Sequence, residues 1–393
     1  MMNDLAIASV IYILFTAYFM VRDYWFPITG DRVREYTMLH LLLTNQPLTN
    51  DHKLLKSCVT TTYLPILLSR ISRINPYLMF RITPALFHSL LPTFMFLAAR
   101  TSFNIVDSLL VSAIVSVSFS VLYYTDNGRV GISAGLLAGL YYGVITNQWP
   151  LIALFSLAIT VSHYGTLYNI LFIFGGTWVV GLFTGQDLSL VMAFILVSRF
   201  FWFDIVFPTV APIANGVIIG SFQKDDATFT KPMFAYDMPD IMKMNYQPLS
   251  GDKSKDYWRL ELRDPIIRVA LGMTLKYMSW MQRIEWSVSW VMVAIICISM
   301  VRDLMNPDVI TILGLFAGVG LIISILIPHV SKWYGVSRTY EIGLVFWSMI
   351  IVRYYNGLWM WILLGVFAIL ISGLFRLKTK YKWFIDAKNG YIR

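Results

Sequence analysis

Leu5–Val21 reads LAIASVIYILFTAYFMV, an unbroken apolar run that stops at the Arg22–Asp23 pair, and Ile28–Leu43, ITGDRVREYTMLHLLL, follows it. A bilayer crossing takes about 20 predominantly apolar residues. The run has no cleavage-site pattern, so it is expected as a retained first span. In the second stretch Asp31 and Glu35 stand four positions apart, which puts both carboxylates on one face of a helix. Two acids and two arginines, Arg32 and Arg34, fall within five positions just past a span. In so apolar a chain, this is where chemistry is expected to begin.

Hydrophobic residues make up 57% of the 393 and charged ones 13%, against roughly 45–50% and 25% in soluble domains. The mean hydropathy is +0.64. Solid apolar runs rather than period-2 strands exclude a β-barrel. The fold class expected is an all-α polytopic membrane protein. Apolar runs at 5–21, 82–99, 105–122, 131–146, 149–163, 165–183, 188–206, 286–301, 309–328, 340–353 and 357–375 predict about eleven transmembrane helices. The tenth is short enough to be tilted, broken or buried among the others. Three parts follow: a seven-helix module over 1–206 that includes the long loop 22–81, a polar and interfacial insert over 207–285, and C-terminal helices with a basic tail over 286–393. From Arg259 onward the insert mixes apolar and basic residues with Trp258, Trp280 and Trp286, as in a helix lying at the interface. An extra span around 265–281 would move the tail to the other face.

With eleven spans, loops after odd-numbered spans share one side of the membrane. That side receives 22–81, 123–130, the turn at His163 and Tyr164, 207–285, 329–339 and the tail. The other receives only short connectors. The positive-inside rule taken literally makes the loop-rich face cytoplasmic, but phosphate-binding arginines distort such a count. The net charge of +9 sits beside spans rather than in a soluble basic patch, which suits anionic headgroups or phosphorylated ligands and argues against nucleic acid. Cys58 and Cys297 lie in different kinds of segment and imply neither a disulfide framework nor a metal cluster.

Four constellations could carry chemistry. Asp31 and Glu35 offer a base, an acceptor-orienting group or ligands for a divalent ion, or form a solvated helix start paired with Arg32 and Arg34. In Tyr123–Arg129, YYTDNGR, Arg129 can clamp a phosphate bidentately, or snorkel at a helix end with Asp126 as its partner. In VSHYGTLYN, His163 and Tyr164 sit at membrane depth, where ionisable residues mark function, although a histidine at a helix end also serves as a structural residue. In PHVSKWYGVSRTYE, His329, Lys332, Arg338, Tyr340 and Glu341 crowd between two spans, either at a lipid phosphate or as a basic-aromatic anchor. Arg199 and Asp204, near the end of the seventh span, read as an ion pair supporting the pocket or as interface residues.

Three phrases resemble the GT-C superfamily of membrane glycosyltransferases. GDRVREYTMLHLLLTN resembles the acidic helix of their first external loop. YLPILLSRISRINPYLMFRITPALFHSLLPTFMFLAAR resembles the proline-and-arginine segment before their second span. SFSVLYYTDNGRVGISAGLL resembles the turn, ending in an arginine, between their third and fourth spans. VSHYGTLY and LIPHVSKWYGVSRTYEIGLVF also resemble an uncharacterised family of archaeal multi-pass membrane proteins, over nearly the whole chain.

The resemblance implies a GT-C-like fold and an inverting transfer of sugar from a polyprenyl-phosphate donor to a lipid, glycan or protein. Asp31 becomes the acceptor-side catalytic carboxylate and Glu35 its neighbour. Arg129 and Arg338, with Lys332, fall near the donor phosphate, supported by Asp126, His163, Tyr164, Tyr340 and Glu341. Arg32 and Arg34 alter the family's acidic-loop pattern, and 207–285 offers no convincing second catalytic acid. No ligand spacing demands a cofactor, though Asp31, Glu35 and His163 could hold Mg or Mn. Membrane lipids and the donor are the expected partners. A multi-pass protein of the cell membrane with its loop-rich face extracytoplasmic is expected. The rival class is a non-catalytic scaffold or lipid-binding subunit of a cell-envelope assembly. A transporter is disfavoured, because charges gather at one face and no paired broken helices are visible.

Overall fold

The computed structural model describes residues 2–25, 31–46, 55–117, 128–210, 280–305, 307–326 and 336–380. Among them every regular element is a helix. In chain order these are α1 (Met2–Trp25), α2 (Asp31–Leu43), α3 (Val59–Ser72), α4 (Pro76–His88), α5 (Leu90–Ala99), α6 (Ile105–Val117), α7 (Gly128–Ile145), α8 (Trp149–Ser162), α9 (Tyr164–Thr184) and α10 (Ser189–Arg199). A π-helical turn, Phe200–Val206, extends α10, and α11 (Trp280–Asp303), α12 (Val309–Leu326), α13 (Val336–Tyr354) and α14 (Leu358–Lys380) complete the set.

Helices carry the described parts of all eleven apolar runs, and among the described residues five stretches are both long and apolar enough to cross a membrane: Asn3–Val21, Pro76–Ala99, Gly128–Ile145, Tyr164–Thr184 and Ser189–Val206. Others are apolar but short, such as Ile105–Val117 and Trp149–Ser162. The outward sides are lipid-like. On α1, Leu5, Val10, Ile13 and Leu14 are exposed while Ala8 and Ile11 are buried. Most of the expected insert, including the interfacial helix from Arg259 and the possible span at 265–281, lies outside the described residues.

The helix of the second apolar run begins at Pro76 rather than at residue 82, and local chemistry explains the shift. Asn75 caps α4 by accepting from the Tyr77 N–H at 2.9 Å, and Pro76 takes the first helical position, where a missing N–H costs nothing. Pro84 inside α4 cannot donate to the Phe80 carbonyl one turn back. Arg32 of α2 donates to it instead, Nη2 to oxygen at 3.4 Å, with its guanidinium 5.3 Å from the centre of the Phe80 ring.

The described helices form two compact units, Met2–Val206 and Trp280–Lys380. In the first, α7 is the innermost helix, and a stripe of glycines at 131, 135, 139 and 143 lets its neighbours approach closely. A Cβ on Gly135 would lie 1.9 Å from the Phe87 carbonyl oxygen of α4. In the second, α13 is the inner helix. Leu344 through Val352 are all buried, and Trp347 donates its indole N–H to the Gly314 carbonyl of α12 at 2.8 Å. Of the three fates open to the tenth run, burial is the one found.

Candidate functional site

The charged first-loop segment folds as α2, with Asp31 as its first residue and Glu35 one turn later. Leu39 and Met38, fully buried, hold α2 against the bundle, and Leu39 clusters with Phe80. That face also carries Arg32 (3% exposed) and Glu35 (0%) inward. Ionic groups leave water at a cost of several kcal/mol each, so they survive burial only with partners.

Glu35 finds its partner across the bundle. Arg129, the second residue of α7, sets its Nε 2.9 Å from the Glu35 Oε1, with the arginine side chain 6% exposed. Gly128, which opens α7, makes the approach possible: a Cβ there would stand 2.8 Å from the Glu35 Oε2 and 3.6 Å from the Arg32 Nε. The carboxylate therefore also lies at the N-terminus of α7, where the helix dipole favours negative charge. Glu35 is therefore not solvated at the start of its helix but sealed inside the bundle.

Cys58 closes the far side. It precedes α3, is 2% exposed, and its carbonyl accepts from the Thr62 hydroxyl at 2.9 Å. Burial pushes its thiol up, with the Glu35 charge adding to the shift and the Arg129 guanidinium opposing it. Ser57, also 2% exposed, offers its carbonyl to the Trp202 indole N–H of the π-helical turn at 3.1 Å. On the other side of α2, His40 Nδ1 lies 2.8 Å from the Tyr77 hydroxyl. Burial raises the Tyr36 phenol, Tyr77 adds to this, and Arg81 opposes it.

The remaining expected residues sort as follows. Asp126 and Lys332 lie outside the described residues, as do the side chains of Asp31 and Arg338. His163 is a buried helix cap: its Nδ1 accepts from the Thr166 N–H at 3.2 Å and lies 2.8 Å from the Thr166 hydroxyl, while Tyr164 packs beside its ring at 5.3 Å. Arg199 and Asp204 form an ion pair. Within the second unit, Glu341 is buried at 3%, and Tyr340 lies against Trp347 with ring centres 5.9 Å apart. Among the described residues no group of three or more His, Cys, Asp or Glu side chains is placed to hold a metal ion.

Sequence reasoning missed a second polar cluster, at the ends of α11, α12 and α13. Arg353 donates to both Asp303 oxygens at 2.9 and 2.8 Å and also pairs with Asp308. Tyr354 donates to Asp303 at 3.0 Å, and the Thr311 hydroxyl donates to Asp303 and Asp308. The available signal was Asp308 followed three residues later by Thr311, whose N–H the aspartate caps at 2.8 Å.

No family model matches the chain, and no curated protein matches it either.

Proposed function

We propose that the chain is a GT-C-type membrane glycosyltransferase that moves a sugar from a polyprenyl-phosphate donor to a lipid, glycan or protein. One observation carries the reading. The acidic first-loop helix and the arginine turn, two of the three phrases that resemble the superfamily, meet in the Glu35–Arg129 ion pair at 2.9 Å. In this proposal about eleven helices cross the membrane, and the loop-rich face is extracytoplasmic.

The donor reaches the site sideways through the bilayer. Arg129, near the N-terminus of α7, supplies positive charge to its phosphate. Asp31 takes the proton of the attacking hydroxyl, while Glu35, fixed by Arg129, holds the turn of α2 that carries Asp31. Stabilising the leaving phosphate electrostatically supplies much of the rate.

The test is sugar transfer from polyprenyl-phosphate donors in proteoliposomes. The expected result is product from the wild type and about a hundredfold less from Asp31→Asn, the usual lower bound for a positioned base. Equal product from both removes Asp31 from the mechanism. The burial of Glu35 at 0% exposure favours one rival, a non-catalytic membrane scaffold, and absence of product with every such donor would select it.

A further inference from the structure

The Glu35 carboxylate and the Arg129 guanidinium are shut away from water, so a group that engages them must first displace a cover. Part of that cover is the tight turn Leu55–Cys58, closed by the Cys58 N–H to the Leu55 carbonyl at 3.0 Å. Leu55, Ser57 and Cys58 are all buried. The Trp202 indole ties it to a distant part of the chain by a hydrogen bond to the Ser57 carbonyl, and Cys58 itself meets Arg129. Trp202 stands in the π-helical turn Phe200–Val206. Residues five apart share a face in a π-helix, whereas in an α-helix they point about 140° apart. The ion pair between Arg199 and Asp204, five apart, fits the π register. A return to α-helical register would part the two charges and swing Trp202 away from Ser57.

We infer that the π-helical turn and the Leu55–Cys58 segment form a strap that opens to admit ligands to the Glu35–Arg129 site, with the Trp202–Ser57 hydrogen bond as its catch. The strap regulates the site of the proposed transferase and in that sense rests on that reading. Its mechanical behaviour is measured without catalysis.

Cys58 is a built-in reporter, because Cys297→Ala leaves it the only thiol in the chain. In full-length protein in liposomes, labelling of Cys58 by a water-soluble maleimide is slow in the Cys297→Ala parent. Trp202→Phe keeps an aromatic ring, though a smaller one, but loses the N–H, and labels about five- to tenfold faster, the worth of one hydrogen bond. Asp204→Asn, which removes the charge pair across the turn, accelerates labelling in the same direction. Pulse proteolysis on the same samples reports global stability. Faster labelling with an unchanged proteolysis midpoint supports the strap. Parent-like labelling in both variants overturns it, and so does acceleration that merely tracks a lowered midpoint. A failed sugar-transfer assay leaves these rates untouched, so the two readings fall separately.

Discussion

A Cβ at position 128 would stand 2.8 Å from the Glu35 Oε2, closer than real side-chain contacts allow. Gly128 is therefore the residue that lets a carboxylate of the first loop reach the N-terminus of α7. Gly128→Ala must push Glu35 back or tilt the helix, at about 1–3 kcal/mol for overpacking. If the obstacle is the Glu35 side chain, the same substitution in a Glu35→Ala background costs far less. Unfolding midpoints of the four proteins decide it, and a penalty of equal size in both backgrounds would place the strain elsewhere.

Breaking the ion pair from one side leaves the other charge buried. Glu35→Gln strands Arg129 at 5% exposure and is expected to cost about 3–5 kcal/mol. Removing both charges, Glu35→Gln with Arg129→Gln, should cost less than the two single changes together by about 1–3 kcal/mol. Denaturant titration in detergent measures the cycle. Strict additivity would mean that Glu35 and Arg129 do not sense each other.

The helical body was legible because apolar runs report burial and lipid contact directly. Helix ends were less so. Arg81 interrupts the hydropathy near the second span, and the start at Pro76 is written instead in the Asn75–Pro76 cap. The partner of Glu35 was not legible. The sequence offered the neighbouring Arg32 and Arg34 as partners of the acids and gave Arg129 to Asp126. Arg32 is claimed by the Phe80 carbonyl that Pro84 leaves open, and Arg129, ninety-four positions away, arrives by the packing of α7. His163 looked functional by its depth, yet its ring nitrogen serves to cap α9, a use that depends on the backbone turn between α8 and α9.

Gly135 faces a harder obstacle than Gly128, since the atom 1.9 Å from its would-be Cβ is the Phe87 carbonyl oxygen. Backbone cannot step aside as a flexible side chain can. Gly135→Ala is thus expected to force α7 away from α4 and to cost at least about 3 kcal/mol, the upper end of overpacking effects. Gly365→Ala, where a Cβ would meet nothing within 4 Å, serves as the matched control and should be neutral or slightly stabilising. Thermal unfolding of the two variants side by side reads the contrast. Similar midpoints would show that the glycine stripe is not what holds the helices close.

Arg353 ties together the ends of three helices through Asp303 and Asp308, and the tie should weaken in acid. Burial by itself would raise the Asp308 carboxyl, but the Arg353 guanidinium and the Thr311 backbone N–H outweigh it and hold the group below its usual value. A carboxyl depressed in the folded protein binds its proton more readily when unfolded. Its contribution is therefore complete above the ordinary value of about 4 and is lost as pH falls below that, through the folded value. The Asp308 side chain is 43% exposed, so water and salt screen the pair and the contribution is modest. Asp308→Asn should be less stable than the wild type at pH 6, and the gap should close as pH falls below about 4. Unfolding midpoints across that range test it. A gap that stays constant, or widens in acid, would mean that Asp308 acts through its hydrogen bonds to Thr311 rather than through its charge.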